Sequence, residues 1–207
     1  IIGRLVGSEM CIRDRLAPLV AESFVHSMKK LGHNAEFAIH NAGGVRNSLN
    51  VGNVSVADIA GKLLPFAVPI GVYQLKGKDI AAALEGAINN ATNNGVVGTG
   101  DGSYPYTFNL NFEYAPEAPI GSRILGLEIF NSDAGWKKVD DEKYYVGTSS
   151  AYTMKGKEGY EAMLNMLDEG VVTTTSMADC FIELLTDLPD TLNRPQQCVQ
   201  TWWHKGC

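Results

Sequence analysis

Apolar residues recur along this chain with two different periods. Between residues 16 and 31, Leu16, Leu19, Val20, Phe24, Met28 and Leu31 fall on one face of a 3.6-residue helix, and Gly32 stops the run. Phe37-Ala38-Ile39 reads as a short buried strand leading into Asn41 and the pair Gly43-Gly44. Ser55 with Asp58 three residues on is an N-cap signal, the acid being a weaker partner than Glu; the helix it opens runs to Leu64, and Pro65 ends it. Residues 68–75 predict a strand and Gly77 the turn out of it. Residues 78–90 predict a helix with Ile80, Ala81, Leu84 and Ile88 on one side. After a glycine-rich loop over 93–103 the period becomes two, with Tyr106, Phe108, Leu110, Phe112 and Tyr114 on one face of a single strand. Residues 124–130 and 143–148 are two further strands, with Asp133-Ala134-Gly135 as the turn between them. Residues 160–167 and 176–185 return to helix, and the tail after Pro189 has no period.

Helices and strands are thus mixed, without repeats or a low-complexity linker. The pattern predicts one α/β (α+β) domain over residues 16–188, its sheet buried between helical layers, with a tail over 189–207. Residues 5–15 stand apart. The string LVGSEMCIRDR reads as the translation of a transposase-type sequencing adapter, so residues 1–15 are expected to lie outside the natural sequence. Cys11, Arg13 and Arg15 then carry no functional weight, and a signal peptide upstream of Leu16 would not be visible.

Composition narrows the function classes. A 207-residue chain that is 45% hydrophobic and 19% charged has the make-up of a globular domain with a sizeable core. No run approaches the roughly 20 apolar residues of a membrane span. The formal charge of -6 argues against a sequence-independent grip on nucleic acid, which needs clustered Lys and Arg. It leaves room for a small anion, for which one or two placed arginines suffice. Cys180 lies in a helical pattern with Met177, Phe181, Leu184 and Leu185 and reads as a small buried hydrophobe. Cys198 and Cys207 either close a loop in an oxidising compartment or stay free on a frayed end. His26, His33, His40 and His204 are scattered, so zinc-ligand spacing is absent.

Three segments carry candidate chemistry. Asn41-Ala42-Gly43-Gly44-Val45-Arg46 follows a strand; its glycines let backbone N–H groups come close to a ligand, Arg46 suits a phosphate or carboxylate, and Asn41 offers donor and acceptor to a base or sugar edge. Taken alone, a plain turn with a surface arginine explains it as well. Leu63-Leu64-Pro65-Phe66 ends a helix and presents Phe66 rigidly, although a core phenylalanine is the usual meaning of such a residue. The loop from Tyr152 to Tyr160 offers an aromatic ring and, six residues on, the carboxylate of Glu158, suited to a sugar diol; a solvated loop would look similar. Asp101-Gly102-Ser103 lacks the repeated acids of a calcium loop. Phosphate loop, nucleophile elbow and paired catalytic carboxylates are all missing.

In this order the pieces resemble the C-terminal domain of the 5′-nucleotidase and UDP-sugar hydrolase family, from about Leu16 to about Leu185. The Asn-x-Gly-Gly-Val-Arg loop, the Leu-Pro-Phe element, Leu75-Lys76-Gly77 and the late Gly-Tyr loop all fall in register. Residues 155–160, Lys-Gly-Lys-Glu-Gly-Tyr, depart from the family's Gly-Gly-Asp-Gly and look closer to the form in bacterial periplasmic NAD nucleotidases. The resemblance implies a layered α/β/β/α fold with mixed sheets between helices, in a periplasmic or secreted protein of nucleotide catabolism. It implies a nucleotide of the AMP, NAD or UDP-sugar class, its base between Phe66 and Tyr152. Asn41 and Arg46, with Gly43 and Gly44 between them, would meet base or ribose and phosphate, and Glu158 would hold the ribose hydroxyls. A second substrate arginine, just upstream of the first helix in the family, would fall in the adapter-like stretch. Catalysis would belong to an N-terminal metallophosphoesterase domain with two divalent metals, leaving this chain to bind without turnover. A binding module of the same fold with no catalytic partner is the competing expectation.

Overall fold

The computed structural model describes residues 3–5, 12–49, 52–93, 100–188 and 191–192. The first elements are β1 (Gly3–Leu5) and α1 (Ile12–Lys30). Both include adapter-like residues. Strand pairing uses backbone groups that every non-proline residue carries, and residues 12–15 hold neither Gly nor Pro to stop a helix growing backwards. Along α1 the expected apolar face is buried, but Leu31, one residue past the helix end, is 54% exposed. β2 (Phe37–Asn41) is buried at all five positions, as befits an inner strand, and β3 (Gly52–Val54) follows.

Ser55 and Asp58 form the expected reciprocal cap of α2 (Val56–Asp58): Ser55 Oγ accepts from Asp58 N at 3.2 Å, and the Asp58 carboxylate accepts from Ser55 N at 3.1 Å. The helix then widens into a π turn over Ile59–Leu63, closed by Leu64 N donating to Ile59 O at 2.8 Å. β4 (Pro69–Lys76) runs directly into α3 (Gly77–Thr92), so Gly77 opens a helix rather than making a separate turn.

The alternating segment 106–114 is two strands, not one: β5 (Pro105–Phe108) and β6 (Leu110–Tyr114). Asn109 between them takes the left-handed conformation, φ +62°, and donates from Nδ2 to Glu36 O at 2.9 Å. β7 (Ile124–Asn131) turns into β8 (Gly135–Lys138), a strand the apolar pattern does not reveal because its side chains are largely exposed. The turn at Asp133-Ala134-Gly135 therefore joins β7 to β8 and not to the strand at 143–148. That strand is β9 (Tyr144–Ser150), followed by α4 (Ala151–Met154). Residues 161–165 make a 3₁₀ turn where a longer helix is expected. β10 (Val171–Ser176), also unforeseen, precedes α5 (Met177–Asp187) and β11 (Thr191–Leu192). Cys198 and Cys207 lie outside the described residues.

Among the described residues the strands form three sheets. The largest has the order β10-β4-β9-β2-β5, with β2 parallel to β9 and the other pairs antiparallel. β6-β7-β8 make an antiparallel sheet, and β11-β1-β3 a small third one. The alternation of strand side chains divides the interior in two. Ala38, Ile70 and Val72 face α1, α5 and the π turn, through Val20, Phe24, Ile59 and Phe181. Phe37, Ile39, Tyr73 and Leu75 face α3 and the second sheet, through Ile80, Leu84, Phe112 and Ile129. This is the expected α/β class, with the main sheet between layers. Cys180 is fully buried, and burial pushes its thiol up to about 12, as for an inert core residue.

Candidate functional site

Three adjacent strands of the main sheet converge on one end. β2 and β9 are parallel neighbours in the register Phe37–Gly147 and Ala38–Thr148. Asn41 at the end of β2 is thereby carried level with the start of α4. β4 runs antiparallel to β9 and pairs Ile70 with Ser150, so the start of β4, just after Phe66, lies at that same end. The carboxyl ends of adjacent parallel strands form a recurrent ligand position in α/β sheets. Asn41 and Tyr152, remote in sequence, are brought to this end by pairing, and Arg46 and Phe66 lie on the segments that follow β2 and precede β4.

The contacts there form a chain. Asn41 is 7% exposed, and its Oδ1 accepts from Thr153 Oγ1 at 3.4 Å. Thr153 is itself held by Ser150, which caps α4: Ser150 Oγ accepts from Thr153 N at 3.2 Å and lies 3.0 Å from Thr153 Oγ1. Beyond Asn41, Ala42–Gly44 makes a 3₁₀ turn in which Ala42 N donates to Tyr104 O at 2.9 Å. Neither Gly43 nor Gly44 has a positive φ. Their role is close approach: a Cβ on Gly44 would stand 2.5 Å from His40 Cε1, and one on Gly43 3.2 Å from Gly102 O.

Arg46 is exposed. Its backbone N donates to Leu63 O at 2.9 Å, its Nη1 to Gly43 O at 3.3 Å, and its guanidinium lies 5.7 Å from the centre of the Phe66 ring. Phe66 is 45% exposed, so the core meaning open to it in sequence does not apply, and Tyr152 is 41% exposed. Desolvation and then the neighbouring Glu158 carboxylate raise the Tyr152 hydroxyl above its ordinary value. Glu158 has φ +57°, a left-handed conformation rare outside glycine, between Gly156 and Gly159. The structure thus links Asn41 to Tyr152 through Thr153, Arg46 to Phe66, and Tyr152 to Glu158.

Sequence reasoning passed over Thr153 and Ser150, although a Ser three residues before a Thr at a strand end is a readable cap. It also passed over His40, fully buried with neither ring nitrogen hydrogen-bonded, its imidazole edge-on to Phe24 at 5.2 Å. A depression of about 290 Å³ beside Val72, Gln74 and Val146 lies toward the other end of β9 and shares no residue with this cluster. Among the described residues no three His, Cys, Asp or Glu side chains gather in a way that could hold a metal ion, and no helix is long and apolar enough to cross a membrane.

The profile of the "5′-nucleotidase, C-terminal domain" family matches residues 7–165. The chain belongs to this family. Among characterised proteins, NAD 5′-nucleotidase of Haemophilus influenzae is 31% identical over 177 residues, 82% of this chain and 28% of that protein. A probable 5′-nucleotidase of Treponema pallidum is 28% identical over 146 residues, 70% of this chain and 24% of its own length. Among solved structures, H. influenzae NAD nucleotidase superposes with a TM-score of 0.77 at 27% identity, covering 90% of this chain and 35% of that one. A 5′-nucleotidase precursor of Thermus thermophilus gives 0.77 at 24% identity over 95% of this chain and 38% of that one, a likeness of fold. The chain therefore spans 24% to 38% of the length of these 5′-nucleotidase relatives.

Proposed function

We propose that this 5′-nucleotidase C-terminal domain binds a nucleotide of the AMP, NAD or UDP-sugar class at the common end of β4, β9 and β2. The observation that carries this reading is that two half-exposed aromatic residues, Phe66 just before β4 and Tyr152 just after β9, flank the strand ends that also present Asn41, with Arg46 against the Phe66 ring. In this reading the base stacks on the rings, Asn41 meets a base or ribose edge, Arg46 orients the phosphate and Glu158 accepts from the ribose hydroxyls. Gly43 and Gly44 hold the loop close to its floor.

Hydrolysis is assigned to a separate metallophosphoesterase domain of a longer periplasmic or secreted protein. Its two divalent ions would activate water and clamp the phosphoryl oxygens when bound. In this reading the residues of this chain bind and orient, and the metal ligands belong to that separate domain. Movement of the nucleotide toward the metals would be a motion of one domain against the other.

The test is an AMP titration followed by tyrosine fluorescence. Base–aromatic stacking contributes roughly 1–3 kcal/mol per base, so Phe66→Ala should weaken AMP binding by roughly 5- to 150-fold. Tyr152→Ala should act in the same range. Absence of any AMP response in the unsubstituted protein would sink the nucleotide reading. Phosphate release from AMP or NAD above a metal-free blank would overturn the assignment of hydrolysis elsewhere.

A further inference from the structure

Helix α3 carries a glycine, Gly86, in its interior, where a residue with a side chain would serve the helix better. The reason is contact with another backbone. A Cβ on Gly86 would stand 2.2 Å from Gly159 O, and a Cβ on Gly159 would stand 2.4 Å from Gly86 O and 2.8 Å from Asn90 Cβ. Gly159 immediately follows Glu158 and has φ +89°. On its other side Tyr160 is fully buried, and its hydroxyl donates to Ser103 O at 2.8 Å. The segment bearing Glu158 is thus pressed onto α3 by two bare backbones and pinned by one phenol.

We propose that Gly86 is a positioning residue for nucleotide binding: its bare backbone seats the 155–160 loop on α3 and thereby sets where Glu158 stands. This rests on the nucleotide reading of the cluster. Any Cβ at position 86 forces Gly159 to retreat by about 1 Å, since carbon–oxygen contacts of that kind do not close below about 3 Å. A hydrogen bond from a ribose hydroxyl to Glu158 does not survive such a shift, because a 2.8 Å contact becomes one of about 3.8 Å. The left-handed Glu158 also needs its surroundings to hold it, and Gly86 is part of them. A base stacked on Phe66, which sits on a different element, loses nothing directly.

The experiment compares AMP with 2′,3′-dideoxy-AMP, which lacks the diol, on the full chain and on Gly86→Ala. The expected result is an approximately tenfold loss of AMP affinity with less than a twofold loss for the dideoxy nucleotide, at unchanged helical circular dichroism. In the free protein, amide hydrogen exchange over 155–160 should accelerate about tenfold while β2 keeps its rates. Unchanged AMP affinity, or an equal loss for both nucleotides, overturns the proposal. Should the unsubstituted protein bind neither nucleotide, the reading of the cluster falls, and exchange over 155–160 alone decides whether Gly86 seats the loop: unsubstituted rates there overturn it. If Gly86→Ala does not fold, Tyr160→Phe removes only the hydroxyl bond to Ser103 O. It should lower the AMP-to-dideoxy preference about threefold, and an unchanged preference counts against the proposal.

Discussion

At the scale of single residues, the cluster combines exposure where contact is wanted with burial where shape is wanted. Arg46 lies over the Phe66 ring, so its planar guanidinium shields one aromatic face, and in the proposed complex it also neutralises the phosphate. Arg46→Lys keeps the charge and loses the plane and the fork; AMP affinity should fall about fivefold and adenosine affinity hardly at all, as read by parallel titrations. His40 behaves oppositely. Burial lowers its imidazole from the ordinary 6.5 to about 4. Between those values the unfolded chain binds a proton that the folded one refuses, so stability is complete above pH 6.5 and declines as pH falls toward 4. The expected decline is about 3 kcal/mol. Urea midpoints across that range should show it, and His40→Phe should flatten the slope. The chemistry of Asn41, Arg46, Phe66, Tyr152 and Glu158 was legible in sequence as types in an order. Their support was not, because Gly86 and Thr153 act through contacts from distant segments and leave no local pattern.

At the scale of elements, periodicity found α1, β2, α3 and α5 where the structure has them, since each buries a broad apolar face that must repeat. It failed where the same alternation crosses from one sheet to another. Tyr106 and Phe108 pack against the first core and Leu110, Phe112 and Tyr114 lie in the second, yet the chain reads as one strand because a single left-handed residue makes the switch. Asn109 tolerates that conformation better than other residues with side chains and adds the bond to Glu36 O. Asn109→Ala should therefore cost about 2 kcal/mol of stability and Asn109→Gly about half as much, measured by chemical denaturation. β8 and β10 escaped for a different reason: Trp136 and Val171 are exposed, so neither strand shows a buried face to detect.

At the scale of the whole molecule, the two cores share one sheet, and the candidate site sits where that sheet ends. Asn41 and Thr153 are 112 positions apart and meet only after β2 and β9 have paired, with β4 in place beside them. The nucleotide should consequently stabilise the fold by mass action, by about 2.7 kcal/mol at a free concentration one hundred times Kd. For a domain of this size that is a rise of roughly 5–10 °C in the melting midpoint, readable by calorimetry, and in Phe66→Ala at the same AMP concentration the stabilisation should fall to about 0.3–1.8 kcal/mol. The parallel pairing of β2 with β9 has one more consequence. A cut in the exposed stretch near Pro119 would leave one piece with Asn41, Arg46 and Phe66 and the other with Tyr152 and Glu158. Neither piece alone would carry the whole cluster, and in the nucleotide reading AMP added to the mixture would act as the template that draws the two halves together.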